Sequence, residues 1–171
     1  MSAQRAPATV HLLAGLNGAG KTTYARRLAR TGPAVRFTLD EWMLRLYATP
    51  YDDPRYPELR DTCTDLVWDV ARQVLDTGTD VVLDWNQWSR TRRAFWRDRA
   101  LSAGHEPVLH HVRVPLVTAI ARVEQRARDG VPGAHVVPAE DVRHLAGLFE
   151  EPSADEGLVI RTVDATTTDP R

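Results

Sequence analysis

The chain has 171 residues, 43% of them hydrophobic, and a chain of this length forms one domain that can bury about two-thirds of its unfolded surface. Its formal net charge of −1 gives no overall positive charge that would attract nucleic acid or an anionic membrane. The single cysteine, Cys63, excludes an internal disulfide. We find neither an apolar run of about 20 residues nor a signal-peptide core, and we expect a cytoplasmic protein without a membrane partner.

Strand-like and helix-like segments alternate along the chain, and we expect one domain over 1–171 with flexible tails at 1–8 and 165–171. Three prolines keep 49–58 out of regular structure. The predicted elements in chain order are a strand at 9–15, a helix at 22–30, a strand at 34–40, a helix at 59–78, a strand at 80–84, a helix to 103 capped by Ser89, a strand at 106–115, helices at 116–128 and 139–149, and a strand at 157–164.

The helix at 59–78 is predicted from apolar residues at helical spacing, which are Leu59, Cys63, Leu66, Val67, Val70, Val74 and Leu75, with Gly78 as its stop. Strands that alternate with helices predict an α/β fold, with a mainly parallel sheet covered on both faces. Ligands of such sheets gather at the carboxyl ends of the strands. The candidate site residues described below all fall there.

The first strand is followed by a glycine-rich loop. Residues 15–22, GLNGAGKT, match the pattern G-x-x-x-x-G-K-[ST] between a strand and a helix. Glycines let backbone N–H groups converge on phosphate oxygens, and the helix N-terminus adds partial positive charge. We therefore predict that ATP is bound here, and the candidate contacts are Gly15, Asn17, Gly18, Ala19, Gly20, Lys21, Thr22 and Thr23. The Thr22 hydroxyl is a candidate ligand of Mg²⁺.

Lys21 is the only lysine among 22 basic residues. A chain that otherwise uses arginine for positive charge keeps lysine where a compact ammonium must reach the β- and γ-phosphates. The alternative, a glycine-rich turn that caps an ordinary helix, does not explain the lone lysine. We assign Lys21 a catalytic as well as a binding role.

The rest of the chain favours a kinase over other nucleotide-binding proteins. An N-K-x-D motif cannot exist with one lysine, and no D-x-x-G follows a strand as a GTPase switch requires. There is no LSGGQ-like signature, and the chain is short for an oligomeric AAA-type motor. A small kinase remains, with a regulatory ATPase that changes partner affinity as the alternative from another class.

Two carboxylates follow predicted strands and are candidates for the chemistry. Asp40 ends the second strand, where an acceptor hydroxyl would approach the γ-phosphate, and we predict that it is the general base. Asp84 closes the apolar run DVVLD, a Walker B-like position from which it could hold Mg²⁺ or orient the substrate. The alternative for each is a strand-end aspartate that caps the next helix.

Arginines in the stretch 114–130 predict a lid over the nucleotide. Arg122 and Arg126 lie four positions apart on one helical face, with Arg128 two positions further on. Arginines on such a flap can bind phosphates and neutralise the charge that develops on the transferred group. We predict that Arg126 is the catalytic clamp and that Arg122 contacts the nucleotide. The alternative is a solvated basic face.

The segments GLNGAGKTT, LDEW, VVLDWNQWSRTRR, the arginine-bearing lid and FEEPSADEGLVI together resemble a group of P-loop kinases. The group contains the kinase domains of polynucleotide kinases, zeta-toxin-like kinases and chloramphenicol phosphotransferase. The resemblance implies a three-layer P-loop NTPase fold with strand order 2-3-1-4-5. It also implies Asp40 as base, Asp84 and Asn86 near the acceptor, and Arg126 in the lid.

The chain departs from the polynucleotide kinases at one point. Those enzymes place an arginine shortly after the base to hold the substrate phosphate, whereas Glu41, Trp42 and Met43 follow Asp40 here. Arg45 is the nearest guanidinium in sequence. A nucleic-acid 5′-end kinase is therefore kept as an alternative, which neither the residues after Asp40 nor the net charge of −1 favours.

Aromatic and acidic residues in 40–58 are candidates for the acceptor site, among them Trp42, Tyr47, Tyr51 and Tyr56. Such a mixture suits a neutral or cationic polyhydroxy or amine-bearing small molecule, and stacking of a nucleobase is also open. The alternative is an ordinary loop whose aromatic residues reach the core. Trp85 and Trp88 could line the same pocket, with a core position open for Trp85.

Adjacent His110 and His111 point to opposite faces of a strand and are poor joint metal ligands, so the histidines are expected to be structural. We therefore expect a phosphotransferase that uses ATP and Mg²⁺ on a hydroxyl of a small-molecule or nucleoside-like acceptor.

Overall fold

The computed structural model describes residues 6–48, 53–130 and 138–166. Its strands are β1 Thr9–Ala14, β2 Ala34–Thr38, β3 Asp80–Asn86, β4 Glu106–Arg113 and β5 Val159–Asp164. Its helices are α1 Lys21–Thr31, α2 Leu39–Leu46, α3 Tyr56–Asp76, α4 Arg90–Ser102, α5 Leu116–Asp129 and α6 Ala139–Leu148, and a 3-10 helix spans Ala154–Glu156.

The five strands form one sheet in the order β2-β3-β1-β4-β5, and the neighbouring strands pair in parallel. The predicted fold class and strand order are confirmed. The register between β1 and β3 shifts after the Leu12–Leu83 pair, so that Leu13 pairs with Asn86. A bulge of this kind re-aims side chains, and it lies at the carboxyl end of β3, where Asp84 and Asn86 are found.

Successive side chains on each strand point to opposite faces of the sheet and pack into two separate hydrophobic cores. Leu12 and Leu83 pack into the larger core with α3 and α4, whereas Leu13 and Val82 pack with Ala25 of α1 on the other face. Helices therefore cover both faces, as expected for buried parallel strands. Trp85 belongs to the larger core, where its ring meets Trp96 edge-on at 5.2 Å.

Several predicted boundaries and burials are wrong. β2 ends at Thr38, so Asp40 lies in the first turn of α2 rather than in a strand. α3 begins at Tyr56, before the predicted start at Leu59. Its buried residues are Cys63, Val67, Trp68, Ala71 and Leu75, while Leu66 is 55% exposed and Val70 is 43% exposed.

The packed part of the chain also extends into both expected tails. Ala8 belongs to the larger core, and Ala165 packs with Ala19 and Val112. The Ala165 backbone N–H donates to the Arg113 carbonyl, which extends β5 alongside β4. Both residues are therefore ordered by contacts with the sheet.

The segment FEEPSADEG is held to α4 by a buried ion pair. Arg93 is 0% exposed, and its Nε and Nη2 donate to the Glu156 carboxylate at 2.6 and 2.7 Å. Arg93 Nη1 also donates to the Gln87 and Glu150 carbonyls at 3.2 and 2.8 Å. Burial opposes the Glu156 carboxylate, but the hydrogen bonds from Arg93 and Ser153 outweigh it and keep the pKa of Glu156 below its ordinary value.

Candidate active site

The glycine-rich loop crosses from β1 to α1 with its backbone against two neighbouring elements. A Cβ on Gly15 would lie 2.3 Å from the Val112 carbonyl oxygen, and a Cβ on Gly18 would lie 2.2 Å from the Ala119 carbonyl oxygen. The φ angles of these glycines are +152° and +87°. Only glycine fits both the space and the backbone, and the loop is held in one conformation.

Lys21 begins α1, and its ammonium bends back onto the loop. Its Nζ donates to the carbonyl oxygens of Gly15 and Leu16 at 2.9 and 2.8 Å. Burial lowers the pKa of Lys21 to about 8, against the opposing effects of the Asp84 and Asp40 carboxylates, and Arg126 lowers it further. The structure therefore brings Lys21, Asp40, Asp84 and Arg126 into one electrostatic environment.

Asp84 lies at the centre of a hydrogen-bonded chain across four elements. Thr22 Oγ1 donates to Asp84 Oδ1 at 3.2 Å, and Arg36 Nε donates to Asp84 Oδ2 at 2.8 Å. Arg36 Nη2 donates to Glu41 Oε1 at 3.0 Å. The side chains of Arg36 and Asp84 are 14% and 4% exposed, so this is a largely buried ion pair.

Arg36 is the residue that the sequence analysis missed. It lies on β2 two positions before Thr38, whose partner in the register is Asp84, and residues two apart on a strand share a face. The available signal was a charged residue in the otherwise apolar run AVRFT. Its long side chain can then reach the carboxylate at the end of β3.

The oxygen atoms of Thr22 and Asp84 fit the needs of Mg²⁺. This ion prefers hard oxygen ligands and binds in such sites through one or two protein groups together with substrate phosphates and water. Within the described ranges, 6–48, 53–130 and 138–166, no cluster of three or more His, Cys, Asp or Glu residues could hold a metal ion by itself. A metal at Thr22 and Asp84 would therefore depend on the nucleotide phosphates.

Asp40 is exposed in the first turn of α2. Its carboxylate acts to raise the pKa of both Lys21 and Tyr56. Trp42 points the other way and packs against the core, with its ring edge-on to Phe37 at 6.2 Å. Arg45 is exposed in the last turn of the same helix. Of these predicted acceptor residues, the structure brings only Asp40 together with the P-loop; Tyr51 lies outside the described residues.

The two arginines predicted to lie on a lid are on α5, and they differ in their surroundings. Arg122 Nη2 donates to the Ala165 carbonyl at 2.9 Å, and its Nη1 would lie 3.8 Å from a Cβ on Gly20. Arg126 is exposed one turn later, and its positive charge lowers the pKa of the Lys21 ammonium. Arg128 Nη2 donates to Gln125 Oε1 at 2.9 Å on the helix surface. The chain after Gly130, 131–137, lies outside the described residues.

A cavity of about 180 Å³ opens beside the P-loop, and its lining residues are Gly15, Leu16, Asn17, Asn86, Trp88, Leu145, Leu148 and Phe149. Its walls are mostly apolar. The Asn86 Oδ1 atom is buried without a hydrogen-bond partner in the described part of the chain.

The paired histidines have structural contacts. His110 bonds to His11 and to the Tyr24 hydroxyl, each at 2.9 Å, while His111 faces Glu151 on the opposite side of β4. Burial, together with His11 and Arg161, lowers the pKa of His110 to about 3, which keeps the ring neutral. Their expected opposite orientation is confirmed.

A family model described as an AAA domain matches residues 10–152. The chain belongs to this family. A comparison with curated proteins finds no significant match. No described helix has the length and hydrophobicity needed to span a membrane.

Solved structures share the fold of this AAA-family chain at low sequence identity. A candidate kinase from Chloroflexus aurantiacus has a TM-score of 0.74 and 18% identity, over 96% of this chain and 88% of its own. A chain of the Pnkp1/Rnl/Hen1 RNA repair complex has a TM-score of 0.70 and 19% identity, over 86% of this chain and 45% of its own. The APS kinase CysC of Mycobacterium tuberculosis, solved with AMPPNP and APS, has a TM-score of 0.63 and 17% identity, over 96% and 92%. The fold is that of the P-loop kinases.

Proposed function

We propose that this chain is an ATP-dependent phosphotransferase that moves the γ-phosphate to a hydroxyl of a small-molecule or nucleoside-like acceptor. The observation that carries the proposal is the convergence of Asp40 and Asp84 on the Lys21 ammonium, at the carboxyl edge of the sheet. A protein that only binds nucleotide needs the P-loop but has no need of a second carboxylate at the acceptor side.

In the proposed reaction, Lys21 leaves the Gly15 and Leu16 carbonyls and pairs with the β- and γ-phosphates. The loop N–H groups hold the phosphate oxygens, and Arg122 lies where it can contact the nucleotide beyond Gly20. Mg²⁺, held by Thr22 and Asp84 together with the phosphates, would neutralise phosphate charge.

The acceptor oxygen then forms a bond to the γ-phosphorus while the bond from that phosphorus to the β-γ bridging oxygen breaks, and ADP leaves. Asp40 receives the proton of the acceptor hydroxyl. Arg126 neutralises the charge that develops on the transferred group. Asn86, which lines the cavity beside Gly15, is proposed to contact the acceptor.

The test is ADP release at saturating Mg·ATP, with and without a panel of hydroxylated metabolites, nucleosides and 5′-hydroxyl oligonucleotides. A phosphotransferase shows release that depends on the acceptor and forms a phosphorylated product. Release that no acceptor stimulates would instead indicate a regulatory ATPase. Stimulation by the oligonucleotides alone would indicate the polynucleotide 5′-kinase alternative.

A further inference from the structure

A second cluster of charged side chains lies beyond Asp40, between α2, α3 and α4. Burial and the Asp40 carboxylate raise the pKa of the Tyr56 hydroxyl, and the Arg60 guanidinium opposes them. The positive charge of Arg60 in turn lowers the pKa of the Arg92 guanidinium. α2 and α4 each begin just after the carboxyl end of a strand, and α3 packs beside α4, where Arg99 Nη1 donates to Asp65 Oδ1 at 2.7 Å and the Trp68 and Trp96 rings lie 5.6 Å apart. Asp40, Arg60 and Arg92 therefore lie on neighbouring helices, with Asp40 and Arg92 near the carboxyl edge of the sheet.

Arg92 lacks the partners that its neighbour has. Arg93 is fully buried and binds the Glu156 carboxylate, whereas Arg92 is half-buried and its Nε has neither solvent contact nor a hydrogen-bond partner among the residues described. Burial and Arg60 lower the pKa of Arg92, and only Asp61 opposes them. A partly desolvated cation beside a second cation is unfavourable unless an anion joins them.

The Asp61 carboxylate, which acts on Arg92, is already engaged. Asp61 accepts from Arg60 Nε and Nη2 at 2.9 and 2.7 Å, and its side chain is 68% exposed. Arg92 also lies in the first turn of α4, where the helix dipole adds positive potential. The region between α3 and α4 therefore carries positive charge, and the buried Arg92 Nε–H has no acceptor in the described part of the chain.

We propose that Arg60 and Arg92 form an oxyanion subsite that holds a carboxylate or phosphate group of the acceptor while its hydroxyl faces Asp40. The subsite rests on the proposed phosphotransferase function. It supplies from α3 and α4 the guanidinium groups that are missing just after Asp40 in sequence. The acceptor class is then a hydroxylated acid or a phosphorylated alcohol, and the neutral or cationic acceptor expected from residues 40–58 is disfavoured.

Two measurements test the subsite. In the first, the P-loop is saturated with Mg·AMPPNP, and inorganic phosphate is titrated by calorimetry into wild type, Arg92→Gln, Arg60→Gln and Arg90→Gln. Arg90 is the matched control because it lies in the same turn of α4 but pairs with Asp155 at the surface. We expect phosphate to bind wild type and Arg90→Gln alike, and to bind the other two variants about 10- to 100-fold more weakly, as loss of a charge-assisted hydrogen bond implies.

The second measurement compares acceptors that differ only in the anionic group, namely glycerol, glycerate and glycerol 3-phosphate. We expect wild type to favour one anionic member, and Arg92→Gln to lose that preference. A preference for glycerate identifies a carboxylate subsite, and a preference for glycerol 3-phosphate identifies a phosphate subsite. Equal loss on all three acceptors would overturn the proposal.

Stability separates a binding role from a structural one. If Arg92 binds a ligand and does not stabilise the ligand-free fold, Arg92→Gln should leave the thermal midpoint of the ligand-free protein unchanged or raise it. The reason is that the substitution removes a partly desolvated cation that lies beside another cation. A large fall in that midpoint would assign Arg92 to packing and overturn the proposal. Arg92→Lys keeps the charge without the planar fork, and we expect it to retain part of the phosphate affinity.

The subsite and the proposed function can fail separately. Phosphate binding that depends on Arg92, in a protein whose ADP release no acceptor stimulates, supports the subsite and refutes the phosphotransferase. Transfer to neutral acceptors without phosphate binding refutes the subsite and supports the phosphotransferase.

Discussion

Nucleotide affinity should fall as the pH rises, because Lys21 must be charged to bind phosphates. Burial lowers the pKa of Lys21 from 10.5 to about 8 in the ligand-free protein, with Asp84 and Asp40 opposing and Arg126 assisting. The β- and γ-phosphates favour the ammonium, so binding draws the pKa back above its ordinary value. Binding therefore takes up a proton wherever the free lysine is neutral, and affinity decreases on the alkaline side.

The magnitude follows from the fraction of the free protein that carries the ammonium. With a pKa of about 8, this fraction is roughly three-quarters at pH 7.5 and roughly one-tenth at pH 9. The association constant should therefore fall about eightfold, which is about 1.2 kcal/mol. At pH 8 each bound nucleotide should take up about half a proton.

Calorimetric titration of ATP in EDTA measures this effect in the metal-free protein, the state to which the pKa applies. Runs in two buffers of different ionisation enthalpy report the proton uptake directly. Lys21→Arg is the matched control, because an arginine stays charged across this range, and its weaker affinity should be independent of pH. A wild-type affinity that is constant from pH 7.5 to 9, or an equal slope in Lys21→Arg, would refute the reasoning.

Five further substitutions test the site and the fold. Arg126→Ala should lower turnover about a thousandfold with a much smaller loss of ATP affinity, whereas Arg122→Ala should mainly weaken ATP binding; steady-state kinetics and nucleotide titration separate the two. Asp40→Asn should reduce transfer by roughly a hundred- to ten-thousandfold while ATP·Mg²⁺ still binds, as an ADP-release assay beside calorimetry would show. Arg36→Met leaves a buried carboxylate unpaired and should lower the free energy of unfolding by about 3 kcal/mol in urea titration. Glu156→Gln breaks the buried pair on α4 and should cost about 3 to 5 kcal/mol in the same measurement.

Each of these predictions has an outcome that contradicts it. Equal kinetic effects of the two lid variants would remove Arg126 as the clamp. Unchanged turnover in Asp40→Asn would exclude it as the base, because asparagine caps a helix about as well as aspartate. Unfolding free energies within about 0.5 kcal/mol of wild type, the range of ordinary surface substitutions, would show that the Arg36 or Glu156 pair contributes little.

Much of the fold was predictable because the deciding signals are local. Apolar periodicity and the glycine stops located the strands and helices, and the alternation of the two implied parallel pairing. The P-loop was recognisable for the same reason, since a strand, a glycine-rich turn and a helix start lie within a few residues of one another. Boundaries were less accurate: Leu39 and Asp40 continue an apolar strand in sequence but form the first turn of α2.

Residue roles that depend on long-range contacts were decided only by the tertiary structure. Arg36 reaches Asp84 because β2 and β3 pair in register, 48 positions apart in the chain. Arg92 and Arg93 are neighbours of the same type, yet among the described residues only Arg93 is seen hydrogen-bonded to a carboxylate, 63 positions away. The sequence alone thus determined the position of the P-loop, the proposed phosphate site, because it is built from consecutive backbone groups. The partner of each arginine was decided by the packing of α3, α4 and the sheet, since a guanidinium's charge is the same everywhere in the chain and only its folded surroundings differ.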